Sequence, residues 1–227
     1  MSRLTVEQLM AATAATVNQE ATAPTSGSAE YNLWLQYINR GLFEWANANN
    51  WESLRRRFYP TITSSAATVL LPLDFKSIAR APKLYDGTRE AGIEIPEALP
   101  EQVNMYSLRD KYYTQTGDMS TGYALVFNSL NLSSGASLEI EYFSMPTSLA
   151  SPGQVPLVQD SQFLVDRTVA YIFEARSDAR FQSEESKARE RLLAMVEAAD
   201  MAKFNSYSNP NPVSTSLART GFRLGRD

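Results

Sequence analysis

Arg55, Arg56 and Arg57 stand beside Phe58 and Tyr59, a local cluster in which basic and aromatic side chains are interleaved. Guanidinium groups next to rings are suited to neutralising a phosphate chain and stacking its bases. Three arginines are a short run, however, in a chain with 25 acidic and 21 basic side chains. The cluster therefore reads first as a strand edge or subunit contact, and second as a nucleic-acid site. Asp110 and Asp118 flank Lys111-Tyr112-Tyr113 and are the nearest approach to an acid pair. A strand with one aromatic core residue and solvated ends accounts for the same residues.

A third group lies near the C-terminus, where Arg219, Phe222, Arg223, Leu224 and Arg226 follow Asn209-Pro210, Asn211-Pro212 and several serines. No apolar stripe can be drawn through this stretch. Basic residues punctuated by large apolar ones are typical of a segment that orders on a partner. Phe222 and Leu224 would serve as anchors in a groove, and Arg219, Arg223 and Arg226 would pair with acidic side chains there.

The 227 residues include neither histidine nor cysteine. Thiolate nucleophiles, disulfides and cysteine-ligated metals are excluded, as are catalytic triads and dyads that use an imidazole base. No Gly-rich phosphate loop, GxSxG elbow or EF-hand spacing is present. No catalytic, cofactor-binding or metal-ligating residue is expected, and no cofactor. A net charge of −4 argues against a protein that grips DNA, though not against one that lets DNA slide past. No window is apolar enough to span a membrane. Met1 to Gln8 lacks the apolar core and cleavage site of a secretory signal, so the sequence predicts a protein that stays in the compartment where it is made.

Helices at both ends are expected to carry these groups. Thr5 with Gln8 makes a capping-box pattern ahead of Leu9, Ala12 and Val17. Ser28 can cap a second helix with Leu33, Trp34, Tyr37, Ile38, Leu42 and Trp45 on one face, ended by Asn47, Asn49 and Asn50. Trp34, Trp45 and Trp51 read as core. Between Arg55 and Pro146 the period becomes extended. Runs at Arg57 to Thr63, Thr68 to Leu71, Ile78 to Tyr85, Lys111 to Gln115, Tyr123 to Phe127 and Ser137 to Phe143 suggest a small antiparallel sheet or barrel. Asp86-Gly87 and Ser134-Gly135 are turn signals, and Pro100 to Arg109 has the pattern of a short helix. After Pro146, Pro152, Gly153 and Pro156, helical spacing returns over Leu164 to Ala175 and again from near Ser183 to Ala199, predicting a helical hairpin. The charges Glu184, Glu185, Lys187, Arg189, Glu190 and Arg191 read as a solvated face with local ion pairs.

The sequence thus divides into N-terminal helices (1–54), an inserted β domain (55–146), a helical hairpin (147–204) and an extended tail (205–227). The fold class is α+β, a helical bundle with an antiparallel β insertion.

This order of features resembles the head-to-tail adaptor (connector, or head-completion) proteins of tailed bacteriophages. The resemblance is carried by Leu33-Trp34-Leu35-Gln36-Tyr37-Ile38-Asn39-Arg40-Gly41-Leu42, Trp51-Glu52-Ser53-Leu54, Leu71-Pro72-Leu73-Asp74-Phe75, the run Leu138 to Phe143 ahead of Met145-Pro146, and the C-terminal helices with their polar tail. It implies a structural virion protein at the head–tail junction, assembled in the host cytoplasm. Its homo-oligomeric ring, commonly of about twelve subunits, would dock below the portal and meet neck or tail proteins. Genomic DNA would pass through without specific binding, and no membrane is involved. The resemblance implies that the tail clasps the portal, and that Glu184, Glu185 and Glu190 line the channel only if their helix is innermost. Two rivals share parts of the pattern: another neck or tail component (tail-completion or tail-tube protein), and an acid-pair hydrolase such as a cell-wall glycosidase.

Overall fold

Thr5 accepts the Gln8 backbone N–H, and the Gln8 side chain accepts the Thr5 N–H in return, so the first helix begins on a complete capping box. That helix, α1 (Val6–Val17), opens a computed structural model that describes residues 3–19, 22–60, 68–85, 92–98, 112–118, 120–128 and 137–208. Ser28 caps α2 (Ala29–Ala48) by accepting the Tyr31 N–H, and a 3-10 turn at Glu52–Leu54 follows. The strands are β1 (Arg55–Phe58), β2 (Thr68–Leu70), β3 (Phe75–Tyr85), β4 (Ile93–Glu94), β5 (Tyr113–Asp118), β6 (Gly122–Phe127) and β7 (Ser137–Ser144). Two helices, α3 (Ser161–Ala175) and α4 (Phe181–Ser208), complete the order. The chain is therefore mixed α and β, with four helices and two antiparallel sheets among the described residues.

The extended block is not one sheet. Strands β1-β7-β3-β4 form one sheet and β2-β6-β5 a second. Strand β3 meets β7 with three register shifts, and Pro82, which cannot donate to a ladder, falls in the last of them, between the paired positions Arg80 and Lys83. The turn signals Asp86-Gly87 and Ser134-Gly135, the short helix at Pro100 to Arg109 and the residue Asp110 lie outside the described residues.

Helix α3 is buried on nearly every side and touches α1, α2 and α4. With Trp34, Trp45, Trp51, Phe163 and Phe173 it fills one hydrophobic cluster. A second cluster forms from the strands, around Phe75, Leu125, Phe127, Ile140 and Tyr142. The α3–α4 hairpin closes through Ser177 in the left-handed region, with Ser177 N–H donating to Glu174 O and Asp178 N–H to Phe173 O. Those two bonds satisfy carbonyls that the helix end would otherwise leave open. Helix α4 runs to Ser208, so residues 205–208 are helical and not part of an extended tail. Pro210, which cannot continue a helix, lies just beyond.

Polar contacts join helices to strands. Lys76 Nζ on β3 donates to Ala46 O at 2.5 Å and Asn49 O at 2.7 Å, taking two carbonyls at the end of α2. Ser144 Oγ on β7 donates to Leu54 O at 3.0 Å.

Candidate functional site

Strand alternation decides what the arginine cluster can do. Arg55 and Arg57 share one face of β1 and meet the carboxylates of β7, because Arg57 is in register with Glu141. Arg55 pairs with Glu141 and with Glu52, and Arg57 lies 3.1 Å from Glu141 and 3.4 Å from Glu139. Tyr59 and Tyr85 both donate to Glu139, at 3.3 and 2.7 Å. Arg56 points the other way and donates to the carbonyls of Ser53 and Arg55. A phosphate chain would have to displace these partners, which weakens the nucleic-acid reading.

The same seam brings two carboxylates onto one strand face. Glu139 and Glu141, two apart on β7, have side chains only 12% and 11% exposed. Burial alone would raise Glu141, but the Arg55 hydrogen bond and the charges of Arg55, Arg57 and Arg80 outweigh it, and its pKa falls below the ordinary value. An acid-pair hydrolase needs one carboxyl held protonated. The arginines around Glu141 do the reverse and favour its anion, so the geometry suits an ion-pair seam across three strands.

Asp118 sits elsewhere, at the tight β5–β6 turn. Its Oδ1 accepts the backbone N–H and the hydroxyl of both Ser120 and Thr121, which holds the carboxyl far below the usual carboxylate range. Gly117 makes the turn possible: its φ is +92°, and a Cβ there would overlap the Gly122 carbonyl.

This turn forms one wall of a cleft of about 500 Å³, within the range of ligand and peptide pockets. Phe43 and Asn47 of α2 make a second wall. Pro72, Leu73 and Phe75 make a third, with Tyr123 and Met145 completing the lining. Leu73 is fully exposed at 103%, and Leu70 nearby in sequence is 73% exposed. Sequence reasoning missed this cleft, because its walls come from segments far apart in the chain and no local spacing marks them.

Helix α4 carries the other exposed apolar groups, Leu193 at 52% and Met201 at 62%. Its charged start is committed to packing. Arg167 of α3 donates to Glu44 of α2 and Glu185 of α4, both at 2.7 Å, and its cation lies over the Tyr171 ring. Burial would lower the Arg167 pKa, but the bond to Glu185 and the charge of Glu44 raise it overall. Arg191 pairs with Asp166 and Asp160, and Glu184 with Lys187. Glu190 is exposed.

The expected partner-binding residues Arg219, Phe222, Arg223, Leu224 and Arg226 lie outside the described residues. Among the described residues there is no group of three or more ligating side chains placed for a metal, and no helix is long and apolar enough to cross a membrane. Neither a known family model nor a curated protein matches the chain.

Proposed function

We propose that this chain is a structural, non-enzymatic subunit of a tailed-bacteriophage virion, an adaptor that assembles as a ring between the capsid portal and the neck or tail. In this reading the four helices act as a bundle, the strand block is an inserted domain, and residues 209–227 dock on the portal through Arg219, Phe222, Arg223, Leu224 and Arg226. DNA passes through the ring without specific contacts.

The observation that carries the reading is the presence of exposed large apolar side chains on two different elements of one subunit. Leu70 and Leu73 stand out from the strands, and Leu193 and Met201 from α4. A ring closes through head-to-tail contacts, in which one patch meets a different patch on the neighbour. Several of the cations on the described surface are held by carboxylates. Arg55, Arg57, Arg167 and Arg191 are all paired with carboxylates, as suits a wall that conducts DNA without friction.

Negative-stain imaging and native mass of the purified protein, alone and with a portal ring, test the proposal. A closed ring, or a monomer that forms a ring only on the portal, supports it. A protein that stays monomeric with the portal present overturns it. Deleting residues 209–227 is expected to abolish co-assembly.

A further inference from the structure

The cleft between α2 and the β5–β6 turn is open and apolar, and one carboxylate is fixed on its rim. Phe43, Phe75, Tyr123 and Met145 supply apolar walls, and Leu73 projects at the mouth with nothing on this chain covering it among the described residues. The four bonds that orient Asp118 all end on Oδ1, which leaves Oδ2 able to accept from a cation. Among the described residues no lysine or arginine lines the cleft. Its occupant should therefore bring a ring or branched apolar group next to a positive charge.

The chain itself carries such a segment. Arg219-Thr220-Gly221-Phe222-Arg223-Leu224-Gly225-Arg226 alternates large apolar groups with cations. It begins a short way beyond Ser208, where α4 ends. Helix α4 passes the α2 wall of the cleft, since Asn49, two positions after the lining residue Asn47, donates to Asp200 at 3.3 Å. The stretch from Ser208 to Phe222 spans up to roughly 45 Å when extended, ample reach for a site beside the end of α2.

We propose that residues 219–226 dock into this cleft of the same chain, with Phe222 and Leu224 against the apolar walls and Arg223 beside Asp118. The docking does not depend on the adaptor reading. It would cover Leu73 in the free subunit whether or not the segment is later passed to another protein.

The full-length chain carrying p-benzoylphenylalanine in place of Phe222 tests this, irradiated in dilute solution and mapped by peptide mass. The expected product has the mass of one chain, with the peptide containing position 222 joined to the peptide containing Met145 or Leu73. Leu73→Asp places a charge on the apolar wall and should lower the yield about tenfold. Leu33→Asp, a comparable change at an exposed position ten residues before Phe43 on α2, should leave it unchanged. Cross-links that join two chains, fall outside the cleft, fail to form or ignore Leu73→Asp would overturn the proposal. Portal co-assembly is a separate measurement, so this docking and the adaptor reading can fail independently.

Discussion

Trp34, Trp45 and Trp51, packed among the helices, are each exposed by 1% or less, whereas Leu70 and Leu73 beside the strands are 73% and 103% exposed. The two regions also bury their rings differently. In the helical cluster Trp45 and Trp51 stack at 5.0 Å, and Trp51 Nε1 donates to Trp45 O within the core. In the strand cluster the rings of Phe75, Tyr123 and Tyr142 lie tilted against one another, and Tyr142 sends its hydroxyl to Asp74. One region is held by volume buried away from water; the other combines a smaller core with polar bonds at its edge and leaves apolar surface open. A region of the second kind has surface to spare for a partner.

The largest test of that contrast is Trp45→Ala. The substitution empties a fully buried site, unstacks Trp51 and removes the bond from Trp45 Nε1 to Gln159 at 3.2 Å. A loss of about 3–5 kcal/mol is expected, read from denaturant unfolding. A cost below about 1 kcal/mol would mean that this core is not close-packed.

Arg167→Met tests whether charge inside the helical region is structural. Arg167 is 13% exposed while Glu44 and Glu185 are 34% and 39% exposed, so water screens the abandoned carboxylates in part. The expected cost is about 2 kcal/mol, below that of breaking a fully buried pair. Replacing Glu44 and Glu185 with Gln in the same chain should recover part of it, because the unpaired charges are then gone.

Thr5 with Gln8 and Ser28 with Tyr31 were readable because a cap is decided within four residues, and the strands at Thr68, Tyr123 and Ser137 because β-branched and aromatic runs are local too. The cleft, the Arg167 cluster and the Lys76 bonds to the end of α2 were not. Each joins residues tens of positions apart, and nothing in the spacing around Lys76 or Leu73 announces the carbonyl or the wall it will meet. Arg55-Arg56-Arg57 was visible as a cluster but not as a pairing. Its meaning changed when register set Arg57 against Glu141.

On the strand side the ion-pair seam makes a pH-dependent prediction. Glu141 has a folded pKa below its ordinary 4.5, so the stability it contributes is fully present above that value and is lost as pH falls through the lower folded one. Arg55→Gln removes one of its partners and is expected to cost about 1 kcal/mol at neutral pH, since Arg55 is partly solvated. Wild type and variant should converge as the solution is acidified below 4.5. Tyr142 acts at the other end of the scale. Burial and Asp74 push it up to about 12, so its contribution is intact below its usual 10 and is lost as pH rises through the folded value.

The smallest expected effect is the one that bears most on function. Leu73→Ser alters a side chain that is 103% exposed and makes no core contact, so the folded subunit should keep its stability within about 0.5 kcal/mol. The same change removes most of the apolar surface at the mouth of the cleft. If that surface is covered in the assembled or self-docked protein, Leu73→Ser will weaken the association while leaving the unfolding curve where it was. The core substitution Trp45→Ala gives the opposite pattern, with a displaced unfolding curve and association weakened only in proportion to the fraction unfolded. Measuring both variants by denaturant melt and by ring or cross-link yield separates the two regions by what each is for. A Leu73→Ser protein that melts early would erase the distinction, because it would make Leu73 part of the fold and not part of an open surface.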